Sequence, residues 1–388
     1  MGTKYNFFMS ITQFLLQNEK MEPLKNLFNK KIAFRIAMAI KKQWKDFDNN
    51  AFLKNIEAEL LPLELKERVN LITLRLQIHL PENKSIAIAI LVKTIKNLEY
   101  NPEGLQQFEV WPLTHFIALY GLEHFDQSMD ALKEMTKVFT SEFAVRPFFI
   151  KDELRTLEFM KIYLYDENEH VRRWVSEGSR PLLPWGQKLH RFALNPKTTW
   201  ELLDKLKNDP SEYVRKSVAN HINDHSKNHP DFVIEKLLKW HQKKIKTDEL
   251  IWLIKHASRS LVKKGFKKAF VLHGVEDDNV KLIGQKILNK KVKIGESLIV
   301  EVTLKNYSNK SSKVIIDHEI HLLKANGSHN VKVFKGKKLT FKPKEKQIIE
   351  MKVPLKLVTT RVYYSGEHFW NVKINGASGK PISFELFV

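Results

Sequence analysis

The sequence contains no cysteine and no run of 18 apolar residues. Without thiols, disulfide bonds and thiolate metal sites are excluded. Without a long apolar run, a transmembrane helix is not predicted, and residues 1–19 lack the apolar core and small-residue cleavage site of a signal peptide. Gly-rich phosphate loops, GxSxG elbows and kinase signatures are also missing. We therefore expect a cytoplasmic protein that does not enter the membrane.

Acidic residues are scarce relative to basic ones, with 44 Asp and Glu against 65 Lys and Arg. The formal net charge is +21 and the isoelectric point is near 9.7. Such an excess predicts attraction to polyanions, with nucleic acid first and an anionic membrane surface second. The length of 388 residues and the 43% of hydrophobic residues fit one or two globular domains.

From about residue 18 to residue 274, apolar residues recur at spacings of three and four, and no strand-like alternation occurs. The clearest predicted helices of the first half cover residues 32–44, 52–60, 63–80 and 86–97. This part of the chain is therefore predicted to be all-α.

An internal repeat lies within the helical region. The segment Asp166–Arg173 matches Asp209–Lys216, 43 residues later, and each copy follows an amphipathic helix. In the second copy, Pro210 is predicted at the first helical position after a capping Asp209. Helix pairs that repeat at about 40–47 residues are typical of HEAT and armadillo solenoids. The register places Glu142, Glu177, Asn220 and Asp224 on the inner helices of such a solenoid.

The segment Asp166–Gly186 is predicted to form a helix with two distinct faces. Asp166 is the expected N-cap, and Gly178, Pro181 and Pro184 limit the helix to about three turns. One face is apolar: Val171, Trp174, Val175 and Gly178. A second face alternates acid and base and is followed by Trp185: Glu169, Arg173, Glu177 and Arg180. This charged face is either solvated, with ion pairs worth about 0.3–0.5 kcal/mol each, or a site for a cation held beside a phosphate. Trp185, between Pro184 and Gly186, is either part of that site or a loop tryptophan packed on the next repeat.

After Gly274 the hydrophobic period changes to two. The predicted strands cover residues 291–304, 314–323, 331–339, 347–353 and 369–374, with turns at Asn326-Gly327 and Asn375-Gly376. This pattern favours an immunoglobulin-like sandwich. The predicted architecture is thus an all-α HEAT-like helical-repeat solenoid over residues 1–275, a linker near 276–285, and a small all-β immunoglobulin-like sandwich over 286–388.

Two other clusters have more than one interpretation. His221, His225 and His229 are spaced by one helical turn, with Asp224 between them, which could suit a metal. However, no HExxH motif is present and Pro230 ends the helix, so no metal site is expected. Four lysines close the helical region on its last predicted helix, where they either favour the helix dipole or contact phosphate: Lys263, Lys264, Lys267 and Lys268.

Several motifs occur in order along the helical region: residues 111–113 (WPL), 120–123 (YGLE), 139–148 (FTSEFAVRPF), 183–186 (LPWG), 220–224 (NHIND) and 261–265 (LVKKG). In these motifs the chain resembles the AlkC branch of the AlkC/AlkD-type alkylpurine DNA glycosylases, some of which carry a C-terminal immunoglobulin-like domain. Trp174 departs from the family pattern, in which a smaller aliphatic residue is expected.

The resemblance implies a monomeric glycosylase that removes 3-methyladenine and 3-methylcytosine from double-stranded DNA without metal or cofactor. It implies catalytic roles for Glu142, Glu177, Trp185 and Asp224. The expected DNA contacts are Arg173, Arg146, Arg180, Lys216, Lys263 and Lys264. A different class remains open, namely a non-enzymatic HEAT scaffold that binds nucleic acid or protein and whose acids are merely solvated.

Overall fold

The computed structural model describes residues 23–96, 105–276, 278–358 and 361–388. The predicted start of the helical region at Asn18 and the predicted end of one helix at Asn97 lie outside these residues. The chain divides into two compact units, Met1–Leu189 and His190–Val388. Across the described ranges, none of the helices has the length and apolar character needed to cross a bilayer.

The described part of the first unit contains helices and turns and no strand. Its α-helices are α1 (Lys30–Gln43), α2 (Asn49–Leu53), α3 (Ile56–Leu60), α4 (Leu65–His79), α5 (Lys84–Lys96), α6 (Trp111–Tyr120), α7 (Phe125–Thr136), α8 (Arg146–Lys151), α9 (Glu153–Tyr163) and α10 (Glu169–Gly178). Single-turn 3-10 helices precede α1 at Leu24–Leu27 and α6 at Gln107–Val110.

Local capping explains where several of these helices begin. The side chains of Asn29 and Asp48 accept hydrogen bonds from backbone N–H groups at the starts of α1 and α2. Glu64 and Glu67 form a capping box at the start of α4. The predicted helix over 52–60 is wrong, because Asn55 adopts a φ of 59° and separates α2 from α3.

Helices of the first unit pack against neighbours that lie one to four places away along the chain. Helix α4 contacts α6, α5 contacts α7, and α10 contacts both α7 and α9. Aromatic rings pack together at the start of α6, where Trp111 stacks on Phe139 and Phe143 at centroid distances of 5.8 and 5.6 Å. This is the helical-repeat packing that the sequence periodicity predicts.

The second unit begins with helices and ends with strands. Its helices are α11 (His190–Leu194), α12 (Lys197–Leu206), α13 (Glu212–His225), α14 (Pro230–His241), α15 (Asp248–Ala257), α16 (Arg259–Lys263) and α17 (Lys267–Val271). The four lysines predicted to share one helix instead lie on α16, α17 and the turn between them. The turn contains Gly265, whose φ is 80°.

The two repeat copies share the same hydrogen bonds. In the first, Asp166 Oδ1 accepts from Asn168 N at 2.9 Å, and Asn168 caps α10. In the second, Asp209 Oδ1 accepts from Ser211 N at 2.9 Å, and Ser211 occupies the N-cap position of α13.

An arginine completes each copy. Arg172 Nη1 donates to the carbonyls of Asp166 and Glu167, and Arg215 Nη1 donates to those of Asp209 and Pro210. The predicted caps at Asp166 and Asp209, and Pro210 at the first helical position, are therefore wrong by two residues. The physical reason is that each aspartate closes a turn ahead of the helix instead of capping it.

The strands are β1 (Val280–Ile287), β2 (Lys291–Lys293), β3 (Ser297–Asn306), β4 (Ser312–Leu323), β5 (His329–Phe341), β6 (Lys346–Pro354), β7 (Gly366–Ile374), β8 (Ala377–Ser378) and β9 (Ile382–Phe387). They form a three-stranded sheet of order β1-β3-β6 and a larger sheet of order β2-β9-β7-β4-β5, to which β8 is added beside β7. Apolar side chains such as Trp370, Phe341 and Leu298 fill the space between the sheets. The predicted fold class, helical repeats followed by an immunoglobulin-like sandwich, is confirmed.

Two strand boundaries differ from the sequence prediction. Strand β1 begins at Val280, inside the segment 276–285 expected to be a linker. The predicted strand over 291–304 is divided into β2 and β3, because the chain turns at Gly295 with a φ of 97°. The turns at Asn326-Gly327 and Asn375-Gly376 are present, with positive φ at Gly327, Asn375 and Gly376.

Within the second unit, the helices and the sandwich meet at two glycines. Gly265 and Gly376 both adopt positive φ, and a Cβ built on Gly376 would lie 2.7 Å from the Cα of Gly265. Nearby, His273 Nδ1 lies 2.9 Å from Lys338 Nζ on β5. Backbone therefore meets backbone at this junction, and neither position has room for a side chain.

Candidate active site

The charged face of α10 is buried along most of its length. The exposed fractions of Arg173, Glu177 and Arg180 are 5%, 6% and 8%. The interpretation of this face as solvated is therefore wrong for these three residues, although Glu169 at the start of the helix is exposed.

These residues and Glu142 form one connected set of ion pairs, here called the Glu–Arg cluster: Glu142, Arg173, Glu177 and Arg180. Arg173 Nη1 lies 2.7 Å from Glu142 Oε2, and Arg173 Nη2 lies 3.6 Å from Glu177 Oε1. Arg180 Nη1 lies 2.6 Å from the same oxygen of Glu177. One guanidinium thus bridges Glu142 and Glu177, two of the three carboxylates for which the family resemblance implies a catalytic role. Because the charges alternate and are desolvated, removing one of them leaves another uncompensated.

Thr140 fixes the orientation of the Glu142 carboxylate. Its Oγ1 donates to Glu142 Oε2 at 2.9 Å and accepts from Arg173 Nη1 at 3.2 Å. Within the described ranges, all hydrogen bonds and ion pairs of this carboxylate are made by Oε2. The role of Thr140 is not predictable from the sequence, because it depends on a contact with Arg173 that forms only in the fold.

A glycine allows α10 to approach the turn that carries Glu142. A Cβ built on Gly178 would lie 2.8 Å from Val145 Cγ1. On the same buried face, Trp174 is fully buried and stacks on Tyr163 at a centroid distance of 5.7 Å. The predicted apolar stripe of α10 is therefore confirmed, and the large side chain at position 174 is accommodated. This packing brings Arg173 within reach of Glu142.

Trp185 lies in the turn that follows α10 and does not pack into the core. Its side chain is 46% exposed, and its φ is 64°, which is rare for a bulky residue. Its backbone carbonyl accepts a hydrogen bond from Lys66 Nζ, at 2.5 Å. No local sequence signal predicts the contact with Lys66, which is 119 residues away.

Arg146 holds the segment around this turn. Its guanidinium donates to the carbonyls of Gly178 and Arg180 at 2.9 Å each, and its Nε donates to the carbonyl of Gln187. The side chain is 0% exposed. The prediction that Arg146 contacts DNA does not fit this position, because its donors point to backbone carbonyls in the interior.

The other predicted site residues belong to the second unit. Asp224, on α13, is buried, and its Oδ1 lies 3.1 Å from Lys227 Nζ. Asn220 Oδ1 accepts from Arg259 Nη2 at 2.9 Å. Lys216 is half-buried, whereas Lys263 and Lys264 are exposed.

The three histidines of α13 and its C-terminal turn bind protein groups. His221 Nε2 and His225 Nε2 lie 3.2 and 2.9 Å from the same hydroxyl, Thr199 Oγ1. His229 Nε2 lies 2.8 Å from the carbonyl of Ala193. Burial, together with the charge of His229, lowers the pKa of His225 to about 3. Among the residues that the structure describes, no group of three or more His, Asp or Glu side chains is arranged to hold a metal ion.

Comparison with known proteins places this architecture in a family. Residues 282–388 match the family described as "Uncharacterised protein YhaZ, C-terminal Ig-like domain". Over 368 residues, the chain is 36% identical to "Uncharacterized protein YhaZ" of Bacillus subtilis (strain 168), which covers 94% of this chain and all of that protein.

A solved structure extends the similarity to the fold of both regions. The alkylpurine DNA glycosylase AlkC of Pseudomonas fluorescens, bound to DNA containing an abasic site analog, superposes with a TM-score of 0.86 and is 33% identical. The match covers 95% of this chain and 100% of that one. The chain belongs to the AlkC family. The resemblance read from the helical motifs is thus confirmed, and AlkC shares the sandwich as well as the helical repeats.

Proposed function

We propose that this protein hydrolyses the N-glycosidic bond of small cationic alkylated bases, 3-methyladenine and 3-methylcytosine, in double-stranded DNA. It acts as a monomer and needs neither metal nor diffusible cofactor. The observation that carries the proposal is the pair of carboxylates, Glu142 and Glu177, bridged by Arg173 in a chain of the AlkC family.

The chemistry of the lesion explains why two carboxylates suffice. A base methylated on N3 carries positive charge, so it leaves with the electron pair of the C1′–N bond and becomes neutral without needing a proton. Positive charge then develops on the deoxyribose, as in the oxocarbenium-like transition state of glycosidases. A water oxygen bonds to C1′ and releases its proton to a carboxylate or to solvent.

The geometry suggests how the roles are divided. Glu142 uses Oε2 for Thr140 and Arg173, so Oε1 is the atom that we assign to the sugar cation or the attacking water. Glu177 supplies a second negative charge, and Asp224 is a further candidate carboxylate. The exposed indole of Trp185 contributes cation–π attraction, about 0.5–2 kcal/mol.

Arg173 and Arg180 have a different role from the one first expected. Both are buried against Glu177, so they orient the carboxylates and contribute little to phosphate contact. The phosphate contacts are therefore assigned to lysines, chiefly Lys263 and Lys264, with Lys216 partly accessible. The net charge of +21 strengthens such contacts at low ionic strength.

A non-enzymatic scaffold is the second candidate, because carboxylates that are already paired with arginines could be purely structural. The test is release of free base from N-methylated duplex DNA under single-turnover conditions, with chelator present throughout. Release of 3-methyladenine and 3-methylcytosine supports the glycosylase. Tight DNA binding without any base release supports the scaffold.

A further inference from the structure

We propose that Lys66 is a positioning residue for the Trp185 indole, an inference that rests on the proposed role of Trp185. Lys66 lies near the start of α4, whereas Trp185 lies in the turn after α10. The Lys66 ammonium donates to the Trp185 carbonyl at 2.5 Å. Lys66 therefore acts on the backbone of the residue whose side chain is offered to the substrate.

Trp185 needs such an anchor because its backbone is strained. Its φ of 64° places a bulky residue in the left-handed region, which persists only when the surroundings enforce it. Strain of this kind is concentrated at functional sites. If the turn relaxed to negative φ, the direction of the Trp185 side chain would change.

The other contacts of the turn hold its ends and the N–H of Gly186, and Lys66 holds the Trp185 carbonyl. Arg146 binds the carbonyls of Gly178, Arg180 and Gln187, which flank Trp185 on both sides in sequence. The position after Trp185 is confined as well, because a Cβ built on Gly186 would lie 3.0 Å from Leu183 Cδ2. The peptide between residues 185 and 186 is held on both sides, because Gly186 N donates to the Leu183 carbonyl at 3.1 Å and Lys66 donates to the Trp185 carbonyl.

The surroundings of the ammonium support its placement. His115 on α6 has a lowered pKa, caused first by burial and then by the positive charge of Lys66. The ammonium is thus close to α6 as well as to the turn.

The test compares Lys66→Met, which removes the donor, with Lys66→Arg, which can donate to the same carbonyl. Lys54→Met is the matched control, since Lys54 is an exposed lysine of the same unit. Single-turnover excision rates and dissociation constants for damaged and undamaged duplex are measured, with thermal unfolding to check folding. We expect Lys66→Met to slow excision about tenfold at unchanged affinity, with recovery in Lys66→Arg and no effect in Lys54→Met.

A double-mutant cycle with Trp185→Ala decides whether Lys66 acts through the indole. We expect Lys66→Met to have no further effect on the rate once the indole is gone. An equal loss of rate in both backgrounds overturns the proposal. So does a weaker affinity with a reduced salt dependence, which would make Lys66 a phosphate contact. An inactive wild-type protein overturns the proposed function and this inference together, whereas an active wild type matched by Lys66→Met overturns only the inference.

Discussion

Arg173 Nη1 lies 2.7 Å from Glu142 Oε2, although the two residues are 31 positions apart in the sequence. The same guanidinium reaches Glu177 with its other terminal nitrogen. Because Arg173 pairs with both acids, a substitution at either one alters the ion pair of the other. Variants at these positions therefore require measurement of stability and DNA affinity as well as of the excision rate.

Neutral replacement of the two acids tests their role in chemistry. In Glu142→Gln and Glu177→Gln, we expect single-turnover excision of 3-methyladenine to slow about a hundredfold, since one well-placed electrostatic contact contributes on the order of 3 kcal/mol to the barrier. DNA affinity should stay unchanged or rise, because a negative charge near phosphates is lost. Glu169→Gln, on the exposed part of α10, is the control and should excise normally. Wild-type rates in both variants would leave Asp224 as the leading carboxylate.

Arg173 should affect stability and rate but not affinity. Arg173→Ala leaves two buried carboxylates less compensated, which should reduce the free energy of unfolding by about 3–5 kcal/mol. Arg173→Lys keeps the charge but cannot bridge two acids with a planar fork, so it should slow excision at unchanged affinity for undamaged duplex. Chemical unfolding and titrations at two salt concentrations check both statements. A loss of affinity for undamaged and damaged duplex alike would instead make Arg173 a phosphate contact.

Arg146→Lys tests the assignment of this residue to the protein interior. A lysine cannot reach the carbonyls of Gly178, Arg180 and Gln187 together, so the melting temperature should fall by several degrees. The salt dependence of DNA binding should stay as in the wild type. A shallower salt dependence in a stably folded variant would show that Arg146 meets a phosphate after all.

Buried histidines should make the fold sensitive to mild acid. Burial first, and then the charge of Lys338, lowers the pKa of His273 to about 3, and His225 reaches a similar value. The unfolded chain, with a pKa near 6.5, binds protons that the folded chain does not accept between these two values. The contribution of each histidine is therefore complete above pH 6.5 and is lost as the pH falls towards 3, by up to about 1.4 kcal/mol per pH unit.

Unfolding of His273→Gln between pH 7 and pH 5 checks this mechanism. The amide can still contact Ser258 and Lys338, so the variant should fold and show a weaker pH dependence than the wild type. Exchanging the exposed His190 for Gln serves as control and should leave the dependence unchanged. An identical pH dependence in all three proteins would assign acid sensitivity to other groups.

Local patterns predicted the helical region, the repeat and most strands, because a hydrophobic period of 3.6 or 2 is visible within a short stretch of sequence. They failed where a contact between residues distant in the sequence determines the local structure. Arg146 was expected to contact DNA, and only the three carbonyls around the turn explain why it is buried. Similarly, most of β1 was assigned to the linker near 276–285, and antiparallel pairing with β3 makes it a strand.

For the candidate site, the sequence and the family resemblance propose residues but not the contacts between them. The acidic and basic positions of α10 alternate in the same way in a solvated helix and in a buried cluster. The distinction depends on Gly178, which allows the turn carrying Glu142 to approach α10. The contact of Lys66 with Trp185 has no local signature at all.

The glycine pair at Gly265 and Gly376 has a consequence for how the sandwich can be exchanged or inherited. A domain joined by a flexible tether can be swapped between relatives with little regard for its partner. Here one glycine belongs to the helices and the other to the β7–β8 hairpin, and each is acceptable only because the other lacks a side chain. The two regions must therefore change together. A chimera that brings any larger residue to either position would disrupt the contact between the sandwich and the helices of its own unit.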